Sequence, residues 1–277
     1  MQQKQVEAIT KRAYSDAKHE WNRLIKNPVH MLEFQTTLYY LNRFMPKKGR
    51  ILDIGGGPGR YAIYLAKKGY RMTLLDISPQ HIAFAKAQTK SAKVSDKFDE
   101  FKEGSMLDLS DFKDNTFDSV ICLGGPLSHI AKENKRLKAL KELTRVAKKD
   151  SFVFVSVMGK WGTLSTPYSL TNSEMRRTKH TMELVRGEDK MWKGRYYAHY
   201  FTLEELLELF SKVKGLKVVK TVSLQGLTST WPKEYIRKFS KDKKAWKNLM
   251  NMNKEVREIL SVVDNSRHML IIAKKIR

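Results

Sequence analysis

The chain has 277 residues, 41% of them hydrophobic, enough for a full buried core and better suited to one α/β domain with insertions than to two equal domains. Lys and Arg number 53 against 29 Asp and Glu, a formal charge of +24 that would draw RNA, DNA, an anionic membrane or an acidic small substrate, or simply be solvated. A single cysteine, Cys122, excludes an intrachain disulfide and a cysteine zinc cluster; no apolar run can span a bilayer and the first residues carry no signal-peptide core, so a cytoplasmic location is expected.

In chain order, Val6, Ile9, Ala13, Ala17, Trp21 and Leu24 share one helical stripe that Asn27-Pro28 ends, and a second helix is expected from about Val29 to Phe44. Arg50 to Ile54 reads as a strand, Gly55-Gly56-Gly57-Pro58-Gly59 as a turn, and Tyr61 to Lys68 as a helix. That succession makes a ligand cradle. Glycine lets the main chain approach a polar ligand closely and adopt positive φ, and the free N–H groups of a helix start donate to it. Tyr70 to Leu75 is the next strand, and Asp76 at its tip lies 17 positions after Gly59. A carboxylate there accepts from both hydroxyls of a ribose, so turn and acid together indicate a nucleoside. Asp53, two residues before Gly55, can reach a cationic amine and would repel a pyrophosphate. Gly57, Gly59 and Ala62 also fit the dinucleotide spacing G-x-G-x-x-A, which leaves a nicotinamide or flavin site open at this point.

Ser78 caps a further helix that Pro79 opens, a short strand lies near Phe101, and Glu103 to Leu109 forms the connection after it. Ser119 to Leu123 is the fourth strand, with Cys122 as a buried apolar residue. It runs into Gly124-Gly125-Pro126-Leu127-Ser128-His129, and the carboxyl ends of parallel strands are where an open α/β sheet binds its ligands. His129 is placed there to move a proton, since its ordinary pKa lies near neutrality. A helix over Ile130 to Lys149 and a fifth, central strand over Ser151 to Val157 follow.

Periodicity is poor from Met158 to Ala198, where Trp161, Tyr168, His180, Trp192, Arg195, Tyr196 and His199 are among the alternating aromatic, His and Arg residues of this stretch and its edge. Such walls suit an aromatic or carboxylate substrate and equally suit stacked nucleotides. Thr202 and Glu205 form a capping box for a helix to about Lys212. Leu216 to Leu224 and His268 to Ala273 read as the sixth and seventh strands. The connection between them holds a basic helix or helix pair from Tyr235 to Val263, which is an RNA-binding face, a lid, or a cover for the sheet.

Through Leu52-Asp53-Ile54-Gly55-Gly56-Gly57-Pro58-Gly59, Asp76, and Phe117-Asp118-Ser119-Val120-Ile121-Cys122-Leu123-Gly124, the chain resembles the class I S-adenosylmethionine-dependent methyltransferases of the UbiE-like kind, over roughly residues 45–160 and the last strands. The resemblance implies a Rossmann-like, doubly wound, seven-stranded, mostly parallel α/β sheet with an antiparallel last strand. It implies an N-terminal helical lid (1–45) and a methyltransferase domain (46–277) with a substrate or lid insertion (158–200) and a basic helical insertion (228–264). The cofactor would be S-adenosyl-L-methionine and the product S-adenosyl-L-homocysteine. Asp53 would meet the cofactor's amine, Gly55, Gly56, Gly57 and Gly59 its close approach to the main chain, and Asp76 its ribose, with Ile77 against the adenine and Leu123 beside it. Many relatives place an acid for the adenine amine where this chain has Ser105, so Ser105, the Met106 main chain or Asp108 must serve. Tyr14, Trp21 and Arg195, with His30 and Glu33, would face the substrate, and His129 and His199 would be the groups acting on it. No metal is expected. The Asp/Asn-Pro-Pro-aromatic signature of base-modifying amino-methyltransferases is missing from Gly125-Pro126-Leu127. The expected activity is methyl transfer to a small molecule; an RNA methyltransferase using the basic C-terminal part and a non-catalytic S-adenosylmethionine-binding protein are the rivals.

Overall fold

A computed structural model describes residues 2–166, 171–190 and 196–277. Three helices come first, α1 (Gln3–Ala13), α2 (Ala17–Arg23) and α3 (Pro28–Phe44). Strands β1 (Arg50–Ile54), β2 (Arg71–Asp76), β3 (Phe98–Glu103), β4 (Phe117–Cys122) and β5 (Ala147–Met158) follow, with helices α4 (Arg60–Lys67), α5 (Pro79–Ser91) and α6 (Glu133–Val146) among them. Next come α7 (Lys160–Leu164), α8 (Asn172–Met175), α9 (Thr178–Val185) and a small antiparallel hairpin of β6 (Glu188–Lys190) and β7 (Tyr197–His199). The last part holds α10 (Leu203–Ser211), β8 (Leu216–Ser223), α11 (Lys233–Ser240), α12 (Lys243–Val256), α13 (Leu260–Asp264) and β9 (His268–Lys275).

The seven long strands form one sheet in the order β3-β2-β1-β4-β5-β9-β8, parallel except for β9, which runs antiparallel to both neighbours. This is the Rossmann-like methyltransferase fold. Two-residue periodicity explains why it is covered on both faces. Leu52, Val120, Val153, Val155, Met269 and Ile271 point into a core shared with α6 and α10, whereas Ile51, Ile121, Phe154, Leu270 and Ile272 point into a second core shared with α3, α4 and α5. Strand order reverses between β1 and β4, so the crevice beyond their C-terminal ends is where ligands bind in such a sheet.

Four details depart from the sequence reading. The stripe from Val6 to Leu24 is two helices, because Asp16 leaves helical geometry to accept from the His19 main-chain N–H and start α2, which leaves Tyr14 at the end of α1. Thr202 caps α10, but Glu205 does not complete a box: its carboxylate is taken by the His199 ring. The connection before β9 holds three helices rather than one or two. The helix expected over Ile130 to Lys149 is α6, which starts only at Glu133, and His129 ends a 3-10 turn, Pro126–His129, ahead of it. Tyr168, Trp192 and Arg195, the last a substrate-side expectation, lie outside the described residues.

Candidate active site

The turn after β1 is built as a cradle. Gly55, Gly57 and Gly59 all have positive φ, at +64°, +55° and +84°, conformations that side-chain-bearing residues rarely adopt. A Cβ at Gly55 would lie 2.5 Å from Cγ of Pro126, and one at Gly56 would lie 2.8 Å from the Asp53 carboxyl. Across the turn, both oxygens of Asp76 accept from main chain: Oδ2 from Gly57 N–H at 2.8 Å and Oδ1 from Ser78 N–H at 2.8 Å. The acid therefore ties the ends of two βα loops together and retains lone pairs for a ligand.

A cavity of about 150 Å³ opens above this turn. Gly55, Gly56, Gly57, Asp76 and Ile77 form its floor, Ser105 and Met106 one end, and Leu123, Gly124 and His129 the other. Its roof is the N-terminal segment, with Gln3, Glu7, Thr10, Lys11 and Tyr14 from α1 and Glu20 and Arg23 from α2. Salt bridge Lys11–Glu103 (2.8 Å) and hydrogen bond Ser105 Oγ to Glu7 Oε1 (2.8 Å) pin α1 beside β3. The carboxylate that Ser105 lacks is thus brought to its side by Glu7, 98 residues earlier in the chain.

Asp53 lies beneath the cavity rather than on its wall. It is 1% exposed, its Oδ2 has no hydrogen-bond partner, and burial, with Asp76 adding its charge, pushes its pKa up to about 8 against a main-chain bond from Ala62. Gly59 also stands off the wall and packs on Leu74 and Ala85 as the N-cap of α4. Trp21 stacks on the Arg60 guanidinium at 3.9 Å and its carbonyl accepts from Arg60 Nε at 2.6 Å, which clamps α2 onto the start of α4. Cys122 is fully buried and its thiol is pushed up to about 12, chiefly by burial, the environment of an inert core residue.

At the far end of the cavity, His129 Nδ1 donates to the Tyr197 carbonyl at 2.9 Å, so Nε2 is left with its lone pair and faces the Tyr14 hydroxyl at 3.1 Å. Tyr196 meets the His129 ring edge-on at 4.8 Å. Burial pushes the His129 pKa down, outweighing the Tyr197 carbonyl, and burial reinforced by Tyr196 raises that of Tyr14 well above its usual value. A neutral imidazole therefore faces an un-ionised phenol. His199 is elsewhere: its ring bonds Glu188 at 2.8 Å and Glu205 at 2.5 Å, joining the hairpin to α10, and it does not line the cavity. His30 and Glu33 also lie off the wall. Burial alone would raise the Glu33 carboxyl, but His268 at 3.0 Å and Arg23 at 3.4 Å hold it well below the usual range.

Among the polar wall residues that went unnoticed in the sequence are Arg60, which opens α4, and His81, in the first turn of α5. Each follows a loop at a strand's carboxyl end, a position from which a first-turn side chain can face a ligand; that was the available signal. Buried atoms Arg60 Nη2 and both His81 ring nitrogens lack hydrogen-bond partners. Among the described residues no cluster of three or more His, Cys, Asp or Glu could hold a metal, and no helix is long and apolar enough to cross a membrane.

A family model described as a methyltransferase domain matches residues 51–150, the stretch from β1 into β5 that builds the cradle. The chain carries a class I S-adenosylmethionine-dependent methyltransferase domain. A solved S-adenosylmethionine-dependent methyltransferase from Methanosarcina mazei superposes with a TM-score of 0.57 at 22% identity, over 85% of this chain and 96% of that one. Glycine/sarcosine N-methyltransferase of Parasynechococcus marenigrum is 30% identical over 105 residues, 38% of this chain and 36% of that protein. The tRNA 5-carboxymethoxyuridine methyltransferase of Escherichia coli is 45% identical over 51 residues, 18% of this chain and 20% of that protein. The chain spans less than half the length of the first curated relatives it matches. Similarity is thus concentrated in the methyltransferase domain's cofactor half, and both small-molecule and RNA enzymes share it.

Proposed function

We propose that this protein transfers a methyl group from S-adenosyl-L-methionine to a small-molecule acceptor. The observation that carries the reading is the roofed cavity, in which the glycine turn and Asp76 stand at one side and the Tyr14–His129 pair at the other. The chain's residues fit the cofactor. Positive-φ glycines hold the turn in a shape that side chains would strain, a Cβ at Gly57 would meet nothing closer than 3.7 Å, and unpartnered polar atoms on Asp53, Arg60 and His81 lie under or around the cavity. Asp76 would accept from the ribose hydroxyls, Ile77 and Met106 would pack on the adenine, and Ser105 with Glu7 would meet its amine. Asp53 and Arg60 would balance the amine and carboxylate at the other end.

When bound, the cofactor supplies a methyl group on a sulfonium that is already a good leaving group. The protein's work is then to hold donor and acceptor in line and to exclude water, for which α1 and α2 would serve as the roof. For an acceptor that must lose a proton, such as a hydroxyl or an ammonium, the Nε2 lone pair of His129 takes it, either directly or through the Tyr14 hydroxyl. The Tyr197 carbonyl keeps the ring in the competent tautomer.

The rival acceptor, RNA, draws on the formal charge of +24 and on the Lys and Arg residues of α11 and α12. A nucleotide within a polymer needs an open trough, and the roof over Gly124 argues against one. Calorimetric titration with S-adenosyl-L-methionine and S-adenosyl-L-homocysteine, followed by labelled-methyl transfer to pooled phenols, amines, thiols and carboxylates, tests the reading. Heat with both nucleosides and transfer into a small molecule are expected. Donor binding without transfer to any of them, or transfer only to RNA with a steep salt dependence, would overturn it.

A further inference from the structure

His81 is nine-tenths or more buried, 4% exposed as a residue, and lines the cavity from the first turn of α5. Neither of its ring nitrogens has a hydrogen-bond partner. Nδ1 stands 3.4 Å from Asp76 Oδ1, ion-pair distance without bonding geometry, and would be 3.7 Å from a Cβ on Gly57. A buried imidazole with two unsatisfied nitrogens is costly, and such groups persist where something arrives to satisfy them. The His81 N–H is bonded to the Ser78 hydroxyl of the helix cap, which fixes the point on the first turn of α5 from which the ring extends.

The chemistry of that partner follows from the neighbours. Asp76 accepts only, when ionised, and each of its oxygens already holds one main-chain N–H. A ligand filling the space between Asp76, Gly57 and His81 must therefore donate to the carboxylate and also exchange a hydrogen bond with an imidazole nitrogen. A vicinal diol does both, since each hydroxyl is donor and acceptor at once. Resting on the methyl-donor reading above, we propose that His81 is a cofactor-binding residue whose ring bonds one hydroxyl of the donor's ribose while Asp76 accepts from that diol.

The test is a cycle between protein and ligand, read by calorimetry with S-adenosyl-L-homocysteine and its 2′-deoxy and 3′-deoxy analogues. Wild-type protein should bind the parent nucleoside and lose about tenfold with the analogue that lacks the His81-bonded hydroxyl. His81→Phe, which keeps the ring's bulk without its nitrogens, should lose about tenfold with the parent and nothing further with that same analogue. His81→Asn, which keeps a donor and an acceptor, should recover part of the loss. Losses that multiply for both analogues, or parent binding unchanged in His81→Phe, would overturn the assignment while leaving the donor reading intact. Absence of heat between wild-type protein and the parent nucleoside would remove the donor reading itself, and with it this one. The ligand-free thermal midpoint separates folding from binding: His81→Phe should melt no lower than wild type, since the change deletes two unsatisfied polar atoms.

Discussion

The two walls of the cavity are assembled in different ways. The donor wall comes from consecutive loops: Gly55 to Gly59 follow β1, Asp76 ends β2, and one hydrogen bond from Gly57 to Asp76 joins them across 19 residues. The acceptor wall has no such continuity. Tyr14 meets His129 across 115 residues, and His129 is oriented by a carbonyl 68 residues further on. A loop whose parts are neighbours in sequence keeps its spacing, so it can be read as a motif; a wall gathered from a terminal helix, a 3-10 turn and a hairpin has no spacing to read. Matching regions follow the same division, since the family correspondence stops at residue 150 and leaves out α1, α2 and the hairpin. The matching part is thus the cradle side, and on the proposed function acceptor choice would reside in α1, α2 and the hairpin.

The largest expected break in that division is His129→Gln. If the acceptor wall does proton transfer and the donor wall does binding, kcat with a hydroxyl or ammonium acceptor should fall by roughly 10²- to 10⁴-fold while affinity for S-adenosyl-L-homocysteine stays within about twofold. The pH profile adds the sign. Burial lowers the His129 pKa from its usual value near 6.5, so the wild-type rate should fall only on the acid side, below that value, and the variant should lack this limb. A parallel loss of donor affinity would mean that the two walls are not separable.

The converse break is Gly55→Ala. Its Cβ would meet Pro126 Cγ at 2.5 Å in a backbone of φ +64°, so the substitution strains the turn and pushes on the loop after β4. A stability loss of about 1–3 kcal/mol and a donor affinity lower by about tenfold or more are expected from chemical denaturation and calorimetry. Because Pro126 opens the turn that carries His129, this is also where the walls touch.

How far each wall was legible follows from the same contrast. Gly55, Gly57 and Asp76 were legible as a cradle because strand, turn and acid obey fixed local spacing, Ile77 only through the family resemblance, and all four line the cavity. The seven-stranded sheet was legible for a similar reason, alternate residues of β4, β5 and β9 being apolar on both faces. Glu7 beside Ser105 was not legible, because nothing in the pattern of an amphipathic helix tells which distant loop its polar edge will meet. His199 shows the opposite failure. An isolated His among aromatics reads as chemistry, yet Glu188 and Glu205 are arranged around its ring, and that arrangement exists only once β7 has been folded against α10.

Asp53 offers a finer test from just beneath the donor wall. Its carboxyl is pushed up to about 8 in the folded chain and titrates near 4 when unfolded, so between those values the native state holds a proton that the unfolded state has released. Stability of the ligand-free protein should therefore decline as pH rises from about 4 to 8. Asp53→Asn removes that slope. At pH 8 the variant should be more stable than wild type by about 2–4 kcal/mol and at pH 4 nearly equal, as measured by denaturation at the two values. If Asp53 ionises to balance the cofactor's amine, the same variant should bind S-adenosyl-L-homocysteine about tenfold more weakly, so stability and affinity move in opposite directions.

The smallest effect is expected where the charge is densest. Arg237, Lys238, Lys241, Lys243 and Lys244 are exposed on and between α11 and α12, and this pair of helices packs on α3 through Ile236, Val29 and Leu32 rather than on the cavity. Reversing four of these charges to Glu alters the field at the surface but removes no group from either wall, and at physiological ionic strength such charges are screened within about 8 Å. With a neutral small-molecule acceptor, kcat/KM should stay within about twofold and be nearly independent of salt. An RNA acceptor would behave otherwise, because each lost phosphate contact lowers affinity and flattens the slope of log affinity against log salt by about one. A large loss in this variant would therefore move the acceptor wall out of the cavity and onto the basic helices, the one outcome under which the roof of α1 and α2 would have to open for catalysis.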